Sequence, residues 1–327
     1  MSPARAGARR DRAGRSAARQ PPAVVPGDLI GVAALSSAVD SDALDAGVRQ
    51  LELLGFRVRL ASNARSDWLG FAGTDAERLA GFHQLVAAEE VKAVVFARGG
   101  HGLLRVLPDV DWELLRRRPK AYVGYSDLVP LLLQIVERLG LICFHGPMVA
   151  TDLGGSLQAA ERDSLLSALA GRIARSLPCD CAPGAAAVEG PVLGGCLAML
   201  AATLGTPWFP RLGPSLLFLE DVHEPLYRLD RMLTQLQLSG KLRRVKGMIL
   251  GHLAADAGSA HEAPNGDPEL WRRLRERSAA GARPIVAWNL PCGHGRPNLT
   301  LPLGAIGRLD PETGALVIRD GASGARP

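Results

Sequence analysis

A serine on a turn, a histidine between glycines and a glutamate at the end of an apolar strand are the side chains in this sequence best placed to do chemistry together. The serine is Ser126. It lies in Ala121-Tyr-Val-Gly-Tyr-Ser-Asp127, a short strand-like run followed at once by the helical-looking Leu128 to Leu139. A strand, a sharp turn and a helix would hold such a hydroxyl clear of the sheet, with the free N–H groups of the helix start facing any negative charge that develops beside it. Only half of the G-x-S-x-G nucleophile elbow is present, because Leu128 stands where the second glycine would be. Taken alone, Ser126-Asp127 reads first as a helix cap.

A serine nucleophile needs a base to take its proton, and the base needs an acceptor that fixes its tautomer and supports the imidazolium. His294 lies in Pro291-Cys-Gly-His-Gly-Arg-Pro-Asn298, where flanking glycines clear space around the ring and forbid regular structure. Glu220 closes the apolar run Leu216-Leu-Phe-Leu-Glu-Asp221, and two acids in a row are hard to bury without a partner. The order Ser126, Glu220, His294 is that of the α/β hydrolases, although the same geometry occurs in other orders. From spacing alone, a structural acid pair and a loop histidine remain the simpler account. Asp221 and Glu224 remain rival acids.

Two further strand ends carry chemical residue types. Val91 to Phe96 runs into Ala97-Arg98-Gly99-Gly100-His101-Gly102, whose glycines let the backbone approach a ligand and turn its N–H groups outward. A tight turn with no ligand fits equally well. The spacing is wrong for a dinucleotide fingerprint. Phe144-His145-Gly146-Pro147 follows another strand, and His145 is as well explained by a structural role as by a functional one.

The elements that must hold these residues alternate. From Asp28 onward, short apolar runs at 28–34, 56–60, 91–96, 122–126 and 141–144 are separated by amphipathic stretches, the first of them capped by Ser41. Residues 103–118 read as mostly helical, and a last helix covers about 156–171. Strands and helices alternating at this length predict a parallel sheet with helices on both faces, with ligands beyond the carboxyl ends of the strands. Residues 172–189, rich in Ala, Pro, Gly and Cys, read as a linker. Beyond it, strands at 216–221, 245–253, 284–290, 299–306 and 315–318 with few helices predict a smaller, β-rich domain over 190–327, with a surface loop at 254–268. The fold class is therefore α/β, with an N-terminal domain over 23–171.

The net charge of +5 suggests an acidic partner until it is located: residues 1–20 hold six Arg and one Asp, and the remaining 32 basic and 32 acidic residues cancel. The body of the chain is neutral, so nucleic acid is not an expected partner. Residues 1–22 have no apolar core of a secretory signal and read as a disordered basic extension. No run approaches the ~18 apolar residues of a membrane span. Five cysteines make an odd count that fits reduced thiols in a cytoplasm, and Cys179-x-Cys181 has the wrong spacing for zinc. No metal or other cofactor is expected.

Arg98-Gly-Gly, Gly124-Tyr-Ser-Asp127, Phe144-His-Gly-Pro147, Gly194-Gly195, Leu219-Glu-Asp-Val222, Glu224-Pro, Tyr227-Arg-x-Asp-Arg-Met-Leu233, Gly251-His252 and Gly293-His-Gly295 follow one another over about residues 24–310. Together they resemble the LD-carboxypeptidase family of serine peptidases, which includes muramoyltetrapeptide carboxypeptidase and the microcin-immunity peptidases. The resemblance implies Ser126 as nucleophile, His294 as base and Glu220 as the acid that orients it. Oxyanion donors would be the amides of Asp127 and of the glycine turn, Gly100, with Gly99 as its alternative. Arg98, Gly99 and His101 would meet the substrate; His101 departs from the Tyr that many relatives carry. The activity implied is release of terminal D-Ala from muropeptide tetrapeptides during cell-wall recycling, by a cytoplasmic homodimer. The alternatives are cleavage of acyl-nucleotide conjugates, which would use an aromatic platform such as Trp208 or Trp271, and an inactive protein that binds peptidoglycan fragments.

Overall fold

The computed structural model describes residues 18–155, 157–181, 186–254 and 285–319. Its first sheet is built around β1 (Leu29–Ala33), a strand buried along its whole length. β2 (Arg57–Leu60) pairs with it on one side and β3 (Val91–Phe96) on the other, and β4 (Ala121–Gly124) and β5 (Cys143–His145) continue beyond β3, all parallel. Strands covered on both faces must be apolar nearly throughout, and the run Val-Lys-Ala-Val-Val-Phe of β3 exposes only Lys92. Helices α1 (Ser41–Leu53), α2 (Asp75–Ala87), α3 (Leu103–Val106), α4 (Trp112–Arg117), α5 (Val129–Leu139) and α6 (Ala159–Leu169) connect and cover these strands.

The strand order 5-4-3-1-2 reverses at β1: the chain leaves toward β2 and returns on the other side as β3. The chain therefore leaves β1 and β3 in opposite directions, and it is in the crevice at such a strand reversal, beyond the carboxyl ends of the strands, that open α/β sheets bind ligands. Residues 34–40 and the glycine turn 97–102 border it. The cap of α1 is Asp40, not Ser41; its side chain accepts from Ala43 N at 2.8 Å. An N-cap residue must itself be extended, and Ser41 already lies in the first turn. The stretch 103–118 is interrupted by a 3-10 turn at Leu107–Asp109, where Pro108 offers no N–H to continue a helix.

Among the described residues the second sheet has eight strands. In chain order the second half of the molecule holds β6 (Arg175–Pro178), β7 (Asp180–Cys181), β8 (Val188–Cys196), α7 (Leu197–Thr203), β9 (Leu216–Val222), α8 (Leu226–Leu238), β10 (Gly247–Ala254), β11 (Ile285–Trp288), β12 (Leu301–Leu303), β13 (Ile306–Asp310) and β14 (Ala315–Ile318). β8, β9, β10 and β11 run parallel at its centre, flanked by antiparallel β13, β14 and β6 on one side and by β7 on the other. α8 buries Leu229, Leu233 and Leu236, the helical stripe its sequence shows. Among the described residues, no helix is long and apolar enough to cross a membrane. The surface loop expected at 254–268 falls outside the described residues from 255 on.

Three boundaries differ from the sequence expectation. The presumed linker 172–189 contributes β6, β7 and the start of β8 to the second sheet. A short edge strand buries little, here Leu177 but neither neighbour, so its composition resembles that of a loop. The three-residue β12, from the C-terminal half, belongs to the first sheet, where Leu301 and Leu303 are fully buried and pair antiparallel with His145 and Cys143 of β5. The basic extension ends before residue 22: Arg19 N donates to Gly140 O at 2.8 Å and Ile142 N to Arg19 O at 2.9 Å. Backbone pairing of this kind is indifferent to the charge its side chain carries.

Candidate active site

β4 ends at Gly124, packed so tightly that a Cβ there would lie 2.8 Å from the Phe96 ring. Two residues on, Ser126 has φ of +61°, a left-handed conformation that side-chain-bearing residues seldom adopt, and a 3-10 turn over Ser126–Leu128 then leads into α5. The elbow thus forms without its second glycine, because the strained position is the serine itself, not position 128. Gly99 abuts it from the crevice: a Cβ on Gly99 would meet Ser126 Oγ at 2.9 Å and Asp127 N at 3.4 Å. The Asp127 N–H lies in the first turn, where no intrahelical carbonyl reaches it.

The glycine turn is fastened from three sides. Ser37 N donates to Gly99 O at 3.4 Å, and Ser37 Oγ bonds both the N–H of His101 and its Nδ1. Gly100 has φ of +107°, and a Cβ on it would collide with Ser37 Oγ. Fully buried Arg78 donates to the carbonyls of Leu35 and Gly102. The Asp127 carboxylate accepts from Ser36 Oγ at 2.6 Å and from Leu103 N at 2.9 Å. That side chain is therefore not a cap on its own helix; it ties the residue after Ser126 to the loops after β1 and β3. Burial pushes its carboxyl upward, and the Ser36 and Leu103 hydrogen bonds offset this only in part.

Glu220 leaves the centre of the second sheet near the end of β9 and is fully buried. Its Oε2 accepts from His294 Nδ1 at 2.6 Å and from the His294 N–H at 3.0 Å. Gly293 is required here: its φ is +116°, and a Cβ would press on the Glu220 side chain at 2.7 Å. Burial alone would raise the Glu220 pKa, but the His294 charge and hydrogen bonds from His145 and His294 outweigh it and hold the carboxyl at about 2. For His294 burial acts downward, and the charge and hydrogen bond of Glu220 reverse it, so the imidazole lies above its ordinary value. The His294 ring stands edge-on to Tyr125, centroids 4.8 Å apart, which puts it beside the residue preceding Ser126. Among the described residues, no hydrogen bond joins Ser126 Oγ to His294. Such contacts are often long in unliganded enzymes and tighten with substrate.

The rival acids have other uses. Asp221 caps α7, accepting from Ala198 N at 2.8 Å and from its neighbour Val222 N at 2.9 Å, with burial raising its pKa to about 6. Glu224 pairs with Arg228 at 2.7 Å. His145, left open by the sequence, is fully buried with Nε2 3.4 Å from Glu220 Oε1, so the glutamate lies between two histidines. The signal was its place at a strand end, but nothing in the sequence says that β5 and β9 face each other.

Arg98 is half-buried, and its Nη1 donates to Ala38 O at 3.1 Å. The His101 ring is exposed and packs on Phe71 at 4.8 Å. Trp208 stacks on Trp112 at 6.3 Å with the Arg138 guanidinium over both rings, while Trp271 lies outside the described residues. Among the described residues, no group of three or more His, Cys, Asp or Glu side chains could hold a metal ion.

Profiles of the LD-carboxypeptidase N-terminal and C-terminal domains match residues 30–146 and 189–309. A probable murein peptide carboxypeptidase of Bacillus subtilis is 34% identical over 93% of this chain and 95% of its own length. The crystal structure of muramoyltetrapeptide carboxypeptidase from Oxalobacter formigenes superposes with a TM-score of 0.78 at 29% identity, covering 91% of this chain and 100% of that one. The microcin C7 self-immunity protein MccF of Escherichia coli is 28% identical over 79% of this chain and 82% of its own. With both domain profiles matched in order and such identity along almost its whole length, the chain belongs to the LD-carboxypeptidase family of serine-type carboxypeptidases.

Proposed function

We propose that this chain is a serine LD-carboxypeptidase that releases the terminal D-Ala from muropeptide tetrapeptides through an acyl-enzyme, with Ser126, His294 and Glu220 as its triad. The observation that carries the proposal is the buried Glu220–His294 pair, 2.6 Å long, packed against the elbow that holds Ser126 in a left-handed turn. Ser126 Oγ attacks the scissile carbonyl carbon while His294 Nε2 takes its proton. Glu220 fixes the proton on Nδ1 and supports the charged ring. The N–H groups of Gly100 and Asp127 receive the oxyanion. Gly99 O turns to Ser37, and in a planar trans peptide the following N–H points the opposite way, so the Gly100 amide favours this role over that of Gly99. Each such donor contributes roughly 10²–10³ in rate. The tetrahedral intermediate collapses as His294 gives its proton to the leaving amine, D-Ala departs, and a water deprotonated by His294 opens the ester.

Arg98, Gly99 and His101 belong to the proposal as substrate contacts, the Arg98 Nη1 donating to Ala38 O. Cytoplasmic recycling of cell-wall peptides and a homodimeric state complete it; light scattering that returns a monomer mass would remove the dimer. Trp208 is already stacked with Trp112 and covered by Arg138, which weighs against its serving as a nucleobase platform.

The test is mass spectrometry of the purified protein with a muropeptide tetrapeptide and, separately, an acyl-nucleotide analogue. Release of D-Ala from the tetrapeptide, lost at least about a thousandfold in Ser126→Ala, is the expected result. Turnover of the nucleotide alone would move the chain to the immunity-type reaction. Turnover of neither would leave a fragment-binding protein.

A further inference from the structure

The loop that carries the proposed base has no regular structure from Asn289 to Thr300. A ring that must meet a nucleophile within a fraction of an ångström cannot rely on such a loop unless other elements hold it. Some of the support is close at hand: Leu299 N donates to Pro291 O at 2.9 Å, and His252 Nε2 lies 3.1 Å from Pro297 O. The rest comes from an element distant in sequence, α6.

Glu161, in the first turn of α6, is 1% exposed and accepts three hydrogen bonds. One is local, from Gln158 N at 2.7 Å, and closes a capping box. The other two reach the His294 loop: Arg296 Nη1 to Oε2 at 3.0 Å and Asn298 N to Oε1 at 2.8 Å. The Asn298 side chain then turns back, its Oδ1 accepting from Gly293 N at 3.0 Å. One carboxylate thus grips the chain two residues after His294 and, through Asn298, one residue before it. Beside it, Ser164 Oγ accepts from Thr300 N at 2.7 Å. A helix cap explains neither the burial of this charge nor the two loop contacts, since exposed capping boxes serve equally well; the one on α2 is solvent-exposed.

We propose that Glu161 is a positioning residue for His294. It holds the imidazole against Glu220 from across the boundary between the two sheets, acting through Asn298 and Arg296. The inference rests on His294 being the base. The link is short: the His294 N–H and Nδ1 both bond Glu220 Oε2, so a shift of the loop is felt directly in the 2.6 Å contact.

The test compares Glu161→Gln, which keeps size and one acceptor oxygen, with Gln158→Pro, which removes both halves of the capping box at a φ of −68° that proline accepts and leaves the two loop contacts of Glu161 in place. In Glu161→Gln, kcat should fall on the order of tenfold to a hundredfold with KM within about twofold, because a displaced catalytic group costs rate more than binding. The acid limb of kcat/KM should move to lower pH as the hold of Glu220 on His294 weakens. The far-downfield proton resonance of the Nδ1–H should shift upfield or broaden, with no substrate present. Asn298→Ala should behave alike, and the double variant should be no worse than the poorer single one. Gln158→Pro should leave kcat and the resonance unchanged. Wild-type kcat, acid limb and resonance in Glu161→Gln, with loss only in Tm, would overturn the proposal. If the wild type releases no D-Ala, the proposed reaction fails, and the resonance still decides what Glu161 does.

Discussion

Glu220 and His294 are each drawn in two directions, and in both the partner prevails over burial. Two consequences have opposite signs. Glu220 is depressed, from 4.5 to about 2, so its share of stability is present above pH 4.5 and lost as pH falls through 2. His294 is raised above 6.5, so its share is full below 6.5 and lost as pH rises through the higher folded value. The proposed mechanism asks the reverse of the histidine, since in it only the neutral ring accepts the Ser126 proton. Activity should therefore rise with pH through a value above 6.5. Glu220→Gln should move that limb downward, because the strongest influences opposing burial are then gone and only the more distant Asp221 and Asp152 remain, while lowering the plateau by roughly 10³–10⁴. A pH–rate profile of kcat/KM reads both effects, and an unmoved limb would remove Glu220 from its role. These residue types were legible in the sequence. Their pairing was not, because Asp221, one position on, is also a carboxylate, and what sets the two apart is the face of the strand each occupies.

At the scale of elements, the crevice follows from the strand order, and its lining is fastened more by side chains than by regular structure. Asp127 is the clearest case, bonding Ser36 after β1 and Leu103 at the start of α3. Asp127→Ala would leave two buried donors without their acceptor. It should cost about 2 kcal/mol of stability by denaturant melts and lower kcat as the glycine turn loosens. A variant as stable and as active as the wild type would show the tie to be incidental. The strands and the longer helices were legible because a strand buried on both faces needs a continuous apolar run and a surface helix a stripe every third or fourth residue. Edge strands such as β6 and β7 were not, because a strand that buries one side chain or none carries almost no pattern.

Across the whole molecule the two halves of the sequence are interleaved. β12 completes the edge of the first sheet, and Glu161 and Ser164 of α6 hold the loop that precedes it. Unfolding should therefore be one calorimetric transition, with the calorimetric enthalpy equal to the van't Hoff value; two separated peaks would mean that the halves fold independently. The amino-terminal segment takes part as well. Deleting residues 1–22 removes both backbone hydrogen bonds of Arg19 and the burial of Ala18. Tm should fall by about 2–4 °C, each bond being worth about 1 kcal/mol, and an unchanged Tm would show that this pairing adds nothing to stability.

By itself the sequence determined the α/β alternation, the apolar strands, the serine on a turn, the glycines that admit it, and, through the succession of motifs, the family. Those features are local: each depends on the character of a few neighbouring residues, and the chain records them directly. Only the tertiary structure decided which acid faces the histidine, that His145 shares it, that the strain of the elbow falls on Ser126, and that Glu161 reaches across to the His294 loop. Each of these is a contact between residues 74 to 137 positions apart or a backbone angle set by such contacts. Periodicity and spacing carry no information about which loops a fold brings together.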